Sequence, residues 1–406
     1  MRILALSTWW PEPADNGSRM RIMQLVRHLA GRHEVHLIAC TQGPAAYARR
    51  DALQQMCASV TAVERPGRPL RLTDHLTSLL VPEPASVRAT WSAELLRAVE
   101  TATRQWQPDV VIAFEIDMAP YALRVQSVPC ILEELELAYL LEFYRKQPGP
   151  HRRLRYLLTA LQHQRYVRHL LRGFSAVTVV SRREAALARR LAGNTPVEIT
   201  VVPNGADLAG CQGYRYDPAP DTLIYPGALT FSANFDAVRF FLTEIFPQIQ
   251  RQRPATTFRV TGHHTPQQRA TLPAIDGVVF TGYVEDVRAL IARSTVEVVP
   301  LREGGGTRLK ILEALALGTP VISTTKGAEG LDLLPGQDLM IADTPAAFAE
   351  TTVRLLAHPE ERARLSANGR RAVAERYDWR TIGTRFVDLV EAIVAQRSPA
   401  YVAPHA

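Results

Sequence analysis

Short apolar runs recur along the chain, and each is followed by a segment with helical spacing of its apolar residues. The first run, Arg2–Thr8, leads into Ser18–Ala30, where Leu25 and Val26 follow Ile22 by three and four positions and Leu29 follows them by four and three. Apolar runs without in–out alternation, joined by helices, are typical of parallel strands covered on both faces of a sheet. The sequence therefore predicts an α/β protein.

The alternation of strands and helices occurs in two consecutive series. The first series predicts strands at Arg2–Thr8, Glu34–Cys40, Val60–Val63, Asp109–Phe114, Cys130–Glu133, Ala176–Ser181 and Glu198–Pro203. The second series predicts strands at Thr222–Tyr225, Thr257–Thr261, Val278–Thr281, Val296–Pro300, Pro320–Ser323 and Leu339–Ala342. A chain of 406 residues suits two domains of roughly 200 residues. We therefore predict two doubly wound, Rossmann-like domains.

Pro, Gly and Asp cluster between Asn204 and Ala219, which places the linker between the two series there. The predicted boundaries are 1–203 for the first domain, 204–377 for the second, 378–397 for a closing helix and 398–406 for a flexible tail. Ligands of doubly wound sheets bind outside the carboxyl ends of the strands. We expect these ends of the two sheets to face a central cleft.

Basic residues exceed acidic ones, and the formal net charge is +7. This excess favours anionic partners such as nucleotides, phosphates or acidic lipid surfaces. Much of it lies between His151 and Arg172, which leaves two interpretations open: a solvated helix face, or a face that contacts a membrane or an acceptor. No basic patch with interleaved aromatic residues argues strongly for nucleic acid, so no nucleic-acid partner is expected.

The chain has the composition of a cytoplasmic protein. Its four cysteines include no C-x-x-C pair and lie in apolar contexts, which indicates buried thiols in a reducing compartment. No run of 18 apolar residues is present, so no membrane-spanning helix is expected. The first apolar run stops at Trp9, which indicates a strand rather than a signal peptide. His263 and His264 lack a spaced third ligand, so no metal site is expected.

Three consecutive glycines, Gly304 to Gly306, follow a predicted strand and precede a predicted helix. Glycines let an anion approach the backbone, and the first turn of a helix offers unpaired amides at the positive end of its dipole. Arg308 and Lys310 add positive charge there, and Glu313 lies where a carboxylate can accept ribose hydroxyls. The alternative is a tight strand–helix turn with a solvated arginine and lysine. No Gly-Lys-Ser/Thr follows, so this is not a P-loop.

A second candidate site is the loop after the first strand, from Trp9 to Arg19. Its position at the carboxyl end of a strand directs it toward the expected cleft. Ser18 is either an N-cap or a contact for phosphate or acceptor. Glu133, which ends another strand beside Glu134 and Glu136, is either part of a solvated acidic turn or a contact to an acceptor hydroxyl.

These segments resemble the retaining GT-B glycosyltransferases of family four, also called glycosyl transferases group 1. The resemblance is carried by 304–314 (GGGTRLKILEA), 317–323 (LGTPVIS) and 327–331 (GAEGL), which are similar to the donor-site signature of that family. The segments 201–207 (VVPNGAD), 225–229 (YPGAL) with Asn234, and 280–284 (FTGYV) agree with it. The likeness covers nearly the whole chain and is specific in the second half.

The resemblance implies the GT-B fold, a nucleotide-diphosphate sugar as co-substrate, no metal ion or other cofactor, and retention at the anomeric carbon. It also implies that the last helix packs back on the first domain. By the resemblance, Glu313 binds the ribose of the donor. We predict Glu313, Lys310 and Arg308 as the catalytic residues. The resemblance also implies that the amides of 307–309 hold the diphosphate and that Gly17 lets the first loop close on it. The full set of residues that we predict to bind the donor is Gly17, Gly227, Gly305, Gly306, Thr307, Arg308, Leu309, Lys310 and Glu313. On the acceptor side we predict Asn16, Arg21, Glu115 and Glu133.

Three positions depart from the family pattern. The family often has Glu eight residues before Glu313, where this chain has Gly305, and Glu303 is close but out of register. Ala228 stands where an Arg is usual. A His often found at the end of the fourth strand aligns with Phe114, which leaves Glu115 nearby. We therefore expect Arg308 and Lys310 to neutralise the diphosphate, because charge developing on the leaving group needs preorganised cations.

The resulting hypothesis is a glycosyltransferase that uses a glycan or lipid-linked acceptor in exopolysaccharide or cell-surface glycan synthesis. The hypothesis includes peripheral association with a membrane. Two alternatives remain open from the sequence. One is a nucleotide-sugar epimerase of the same fold, which would turn over the donor without an acceptor. The other is a nucleotide- or glycan-binding protein without turnover.

Overall fold

The computed structural model describes residues 1–14, 16–41, 43, 50–65, 83–125, 127–133, 137 and 149–396. Backbone contacts divide the chain into two compact units. The first unit is Met1–Pro203 together with the chain from Ile382 onward, and the second is Asn204–Thr381. Each unit has its own parallel sheet.

The sheet of the first unit has seven strands in the order β3-β2-β1-β4-β5-β6-β7. All of its neighbouring strands are parallel, and β1 lies between β2 and β4. The strands are β1 (Arg2–Ser7), β2 (Glu34–Thr41), β3 (Ser59–Glu64), β4 (Val110–Phe114), β5 (Cys130–Glu133), β6 (Ala176–Val179) and β7 (Glu198–Val201). The helices are α1 (Gly17–Ala30), α2 (Asp51–Met56), α3 (Ala85–Ala89), α4 (Ala93–Trp106), α5 (Ala119–Ala122), α6 (Pro150–Leu171) and α7 (Arg182–Ala192).

The sheet of the second unit has six parallel strands in the order β10-β9-β8-β11-β12-β13. The strands are β8 (Thr222–Pro226), β9 (Thr257–Thr261), β10 (Val278–Gly282), β11 (Val296–Val299), β12 (Val321–Ser323) and β13 (Met340–Ile341). The helices are α8 (Leu208–Cys211), α9 (Ser232–Phe240), α10 (Phe246–Gln252), α11 (Pro266–Ala270), α12 (Arg288–Ala292), α13 (Leu309–Leu317), α14 (Pro345–Ala357), α15 (Pro359–Arg376) and α16 (Trp379–Gln396).

Both sheets confirm the predicted α/β class and the predicted doubly wound domains. In each sheet the chain runs outward to one edge and then returns to the other side of the first strand, which is the doubly wound order. Every predicted strand is present, with ends that differ by one or two residues. The pattern of apolar residues is sufficient to predict these strands because the central strands, such as β4 and β11, are buried along their whole length.

One predicted helix is interrupted. The apolar spacing predicts a single helix over Asn234–Gln250, but the structure has α9, a π turn over Phe241–Ile245 and then α10. Pro247 is at the start of α10 and has no amide hydrogen to continue a regular ladder. The π turn contains one extra residue, and this residue accommodates the hydrogen bond that Pro247 cannot donate. Apolar spacing does not reveal a one-residue insertion of this kind.

The last helix belongs to both units. α16 begins at Trp379 in the second unit, and from Ile382 onward it belongs to the first. Gly383 lies against His28, so closely that a Cβ atom there would be 2.2 Å from the imidazole ring. Phe386 has no exposed surface. Further along the helix, Glu391 Oε1 lies 2.9 Å from His33 Nε2 and accepts a hydrogen bond when this nitrogen is protonated.

Candidate functional site

The loop between β11 and α13 presents a row of unused backbone amides. Gly304 and Gly306 have φ angles of +95° and +79°, a region that glycine enters without the strain that a side chain imposes. The amides of residues 304–307 donate no hydrogen bond to any residue that the structure describes. Successive amides without a protein acceptor are suited to bind an anion, here next to the positive end of the α13 dipole.

Arg308 shapes this loop from within. Its guanidinium donates hydrogen bonds of 2.7 Å to the carbonyl oxygens of Gly304 and Gly305, and the residue is only 7% exposed. With these two carbonyls held by the guanidinium, the loop amides are left to face a ligand. This arrangement corrects the prediction that Arg308 presents its charge directly to a diphosphate.

The amides that are available to a diphosphate also differ from the predicted ones. The Leu309 amide, predicted to bind the diphosphate, donates instead to the carbonyl oxygen of Thr307 at 3.0 Å. The Thr307 hydroxyl accepts a hydrogen bond of 3.1 Å from the side-chain amide of Asn204. The free donors therefore lie before Leu309, on the glycines and on Thr307.

Lys310 lies beside the end of β8 in a polar cluster. Its ammonium is 3.8 Å from the centre of the Tyr225 ring and donates to Asn234 Oδ1 at 3.2 Å. Gly227 makes room for it, because a Cβ atom there would be 2.8 Å from Nζ. Burial lowers the pKa of Lys310 to about 7, although the nearby carboxylate of Glu297 acts in the opposite direction. The lysine is thus charged or neutral depending on small changes around neutral pH.

Two carboxylates are associated with this region, and they differ in access. Glu313, on α13, is half-buried, and its carboxylate forms no hydrogen bond or ion pair with the described residues, so the carboxylate is available to a ligand. Burial raises the pKa of Glu313. Glu297, in the middle of β11, is fully buried, and neither of its oxygens has a partner among the described residues. Burial raises the pKa of Glu297 well above its ordinary value.

Glu297 was missed by the sequence reasoning. The available signal was a single carboxylate between Val296 and Val298 in an otherwise apolar strand. A buried charge must be paired or lose its charge. The sequence could have indicated that a carboxyl at this position is either paired with a basic neighbour or protonated.

In the first unit, Glu115 follows β4 with a φ of +67°, which is a strained conformation for a glutamate. The indole nitrogen of Trp9 donates to both of its carboxylate oxygens at 2.9 Å. Arg65 lies over the Trp9 ring at 4.6 Å and pairs with Asp117 at 3.1 Å. Burial raises the pKa of Glu115 to about 7, against the opposing hydrogen bonds from Ser18 and Trp9.

This cluster joins the ends of β1, β3 and β4. The sequence indicated Glu115 and the loop that begins at Trp9, but it did not indicate Arg65 or the contact of Trp9 with Glu115, because these residues are far apart in the chain and meet only through the strand order. Strained residues and carboxyls with pKa values near neutrality concentrate at functional sites. Glu115 remains the predicted acceptor-side residue.

Arg21 and Glu133, both predicted on the acceptor side, form a fully buried ion pair. Arg21 Nε donates to Glu133 Oε1 at 2.9 Å, and its other nitrogens donate to the carbonyls of Val202 and Pro203. The Thr178 hydroxyl donates to the same carboxylate at 3.1 Å. Neither side chain is accessible to an acceptor, so this prediction is wrong, as is the interpretation of Glu133 as a solvated turn. Glu134 and Glu136 lie outside the described residues.

Asn16 caps the first helix. Its side-chain oxygen accepts a hydrogen bond of 3.0 Å from the amide of Arg19, and Gly17 is the first residue of α1. Ser18 is therefore not the N-cap, and its hydroxyl instead bonds to Glu115. An asparagine and a serine two positions apart are both good caps, so the sequence did not distinguish them.

Three observations concern the chain more widely. Among the described residues, no group of three His, Cys, Asp or Glu side chains is placed to hold a metal ion. The four cysteines are buried. A search of the helices in the described part of the chain finds none with the length and apolar character needed to cross a membrane.

Family comparisons match most of the chain with two domain models. The model of the glycosyl transferases group 1 matches residues 220–358, and the model of the glycosyl transferase 4-like domain matches residues 16–205. The first match includes the glycine-rich loop and α13. The second includes most of the sheet of the first unit.

Individual relatives agree with these matches. Glycogen synthase of Mycobacterium tuberculosis H37Rv is 26% identical over 404 residues, which cover 95% of this chain and 93% of that protein. Among solved structures, sucrose-phosphate synthase of Thermosynechococcus elongatus superposes with a TM-score of 0.67 at 18% identity, over 98% of this chain and 100% of that one. HepE of Anabaena, solved with UDP and glucose, gives 0.67 at 14% identity, over 97% and 100%. These structural similarities support the GT-B fold.

Proposed function

Because the chain belongs to the glycosyl transferases group 1 and is a glycosyltransferase of the GT-B fold, we propose that it transfers a hexosyl group from a nucleotide-diphosphate sugar, with retention, to a glycan or lipid-linked acceptor. The observation that carries this proposal is the row of unused amides at 304–307 together with the unpartnered carboxylate of Glu313. The first suits a diphosphate, and the second suits the hydroxyls of a ribose.

In the proposed reaction, the bond between the anomeric carbon and the diphosphate oxygen breaks, and a bond to the acceptor oxygen forms. The proton of the acceptor hydroxyl passes to the departing phosphate oxygen, and the nucleoside diphosphate leaves with it. The amides of Gly305, Gly306 and Thr307 would stabilise the charge that develops on the departing phosphate. Lys310, from its position beside Gly227, would add charge when protonated, and Arg308 would hold the loop in shape.

On the acceptor side, we propose that Glu115 contacts a sugar hydroxyl. Its carboxyl is held by Trp9 on a strained backbone at the carboxyl end of β4, where ligands of such sheets bind. With a pKa of about 7, this carboxyl can accept or donate a hydrogen bond near neutral pH. Asn16 and Gly17, which start α1, belong to the same edge of the sheet.

We further propose that the protein works in the cytoplasm, at the membrane face, in exopolysaccharide or cell-surface glycan synthesis, and without a metal ion. The buried free thiols fit a reducing compartment. The excess of basic residues fits a lipid-linked, anionic acceptor.

A thermal-shift screen of uridine, guanosine and adenosine diphosphates tests the donor site, because a ligand that binds the native state raises the melting temperature. We expect one of these nucleotides to stabilise the protein and Glu313→Ala to abolish the shift. Glu244→Ala, which removes an exposed carboxylate from the π turn, is the control. Unchanged nucleotide binding in Glu313→Ala would contradict the assigned ribose contact.

Nucleotide release from the matching sugar donor then tests turnover. We expect release to depend on an added acceptor fraction, and proton NMR of the product to show the anomeric configuration of the donor. Release without any acceptor, accompanied by a changed sugar, would indicate epimerisation instead. Binding without release under all conditions would contradict the proposed transfer.

A further inference from the structure

One line of residues on α6, which ends at the C-cap residue Arg172, faces solvent. Leu154, Leu158 and Leu161 are 56%, 42% and 48% exposed. Their spacing of four and three residues places them on one side of the helix, and the same spacing continues through three exposed arginines. We name this line the α6 stripe; it consists of Leu154, Leu158, Leu161, Arg165, Arg168 and Arg172.

The leucines of the α6 stripe form a cluster rather than a scatter. Only eight large apolar side chains are exposed among the described residues, and three of them are these leucines. Single exposed leucines are ordinary on protein surfaces, but an apolar row rimmed by polar residues marks an interaction site.

The arginines of the α6 stripe keep their charge available. Residues 150–171 include five arginines and no aspartate or glutamate. The guanidinium groups of Arg165 and Arg172 form no hydrogen bond or ion pair with the described residues, and Arg168 Nε only donates to the carbonyl of Leu191 at 3.4 Å. A partner of this face must therefore supply both negative charge and an apolar region.

We propose that the α6 stripe docks the protein on an anionic lipid bilayer. The leucines would enter the boundary between headgroups and acyl chains, and the arginines would contact lipid phosphates, with the helix parallel to the surface. A nucleic acid would use the arginines but leave the leucines in water. Docking of this kind would bring the enzyme to a lipid-linked acceptor, and in this respect it rests on the proposed function. Binding to the lipid surface does not itself depend on glycosyl transfer.

Flotation of the full chain with extruded vesicles tests the docking. We expect binding to vesicles of phosphatidylcholine with phosphatidylglycerol and little binding to phosphatidylcholine alone. Because part of the attraction is between exposed charges, added salt should weaken it. Equal binding to both kinds of vesicle, or binding to neither, would overturn the proposal.

Two sets of substitutions separate the apolar and the charged contributions. Leu158→Ser with Leu161→Ser removes apolar contacts, and Arg165→Gln with Arg168→Gln and Arg172→Gln removes charge. Each set should weaken binding to the anionic vesicles by at least about tenfold, since each charge or buried apolar group contributes appreciably at such a surface. These side chains are exposed, so the folded state should survive, which circular dichroism checks.

The matched control removes three exposed arginines that lie elsewhere: Arg97→Gln, Arg104→Gln and Arg251→Gln. It lowers the net charge by the same amount, so retained vesicle binding assigns the effect to the α6 stripe. An equal loss in the control would show that overall charge suffices and would overturn the assignment.

Two further measurements give the remaining outcomes. If Leu158→Ser with Leu161→Ser abolishes a concentration-dependent dimer in sedimentation without vesicles, the stripe joins two copies of the chain and the lipid proposal is wrong. The thermal shift by nucleoside diphosphate, measured on the same samples, should be unchanged in all variants. A wild-type chain that floats with vesicles but shows no nucleotide shift would contradict the proposed function and leave lipid docking standing.

Discussion

At the scale of single residues, the position of Lys310 links ligand binding to protons. Burial lowers the pKa of its ammonium to about 7, and a bound diphosphate would raise it again by attraction. Binding of the anion should therefore take up a proton near neutral pH. The neighbouring charges that act on Lys310 are Glu297, which favours the ammonium, and Arg308, which opposes it.

We predict that nucleoside-diphosphate affinity falls as the pH rises above about 7, by up to about tenfold per pH unit, because free Lys310 is then neutral and must be protonated on binding. Below that pH, Lys310 is already charged and contributes no further change. Titration calorimetry in buffers of different ionisation enthalpy measures the proton uptake. Lys310→Met should remove it, and a variant that keeps the full uptake would contradict the assignment.

The buried pair of Arg21 and Glu133 should contribute to stability rather than to acceptor binding. Arg21→Met leaves a buried carboxylate without its main partner, so we expect the free energy of unfolding to fall by about 3–5 kcal/mol. Arg21→Met with Glu133→Leu should cost less, because no charge then remains buried. Urea unfolding measures both.

The control for this prediction is Arg32→Gln. It breaks an exposed ion pair with Asp388, whose side chains are 48% and 57% exposed, and should change stability by less than about 1 kcal/mol. An equal loss of unfolding free energy in Arg21→Met and Arg32→Gln would show that burial does not determine the contribution of the pair of Arg21 and Glu133.

At the scale of elements, the loop from β11 to α13 depends on two left-handed glycines. In Gly306→Ala, a side chain meets a φ of +79°, which costs about 1–2 kcal/mol, and we expect the loop to relax and turn its amides away. Nucleotide affinity should fall by roughly tenfold with little change in melting temperature. Gly336, whose φ of +76° lies in the same region but outside this loop, is the matched control, and Gly336→Ala should bind nearly as well as the wild type. A reversed order of the two affinities would contradict the loop geometry.

Elements were largely predictable from the sequence, and pairings between them were not. Buried parallel strands leave continuous apolar runs, so β1 to β13 were found, and the glycines before α13 indicated the anion loop. The contact of Arg21 with Glu133 and that of Trp9 with Glu115 depend on β1 lying next to β4, and β4 next to β5. Apolar spacing predicts each strand but not its neighbour. The inward turn of Arg308 depends on loop dihedrals that residue types alone do not set.

At the scale of the whole molecule, α16 ties the end of the described chain to its beginning. Phe386 is fully buried in the first unit. In Phe386→Ala we expect amides of β1 and β2 to lose protection from hydrogen exchange corresponding to about 3–5 kcal/mol, while β8 and β9 keep theirs. Phe348→Ala, in the core of the second unit, should show the reverse. Equal loss in both sheets would contradict the division into two units.

This closing helix has a consequence for synthesis. Residues 204–381 interrupt the first unit, so its early strands leave the ribosome long before the segment from Ile382 that completes it. Domains usually fold in the order in which they are translated. Here the second unit can fold first, while the N-terminal part of the nascent polypeptide still exposes the surface against which Phe386 packs. Premature termination after Thr381 would leave that surface open, and chaperones would be expected to recognise it.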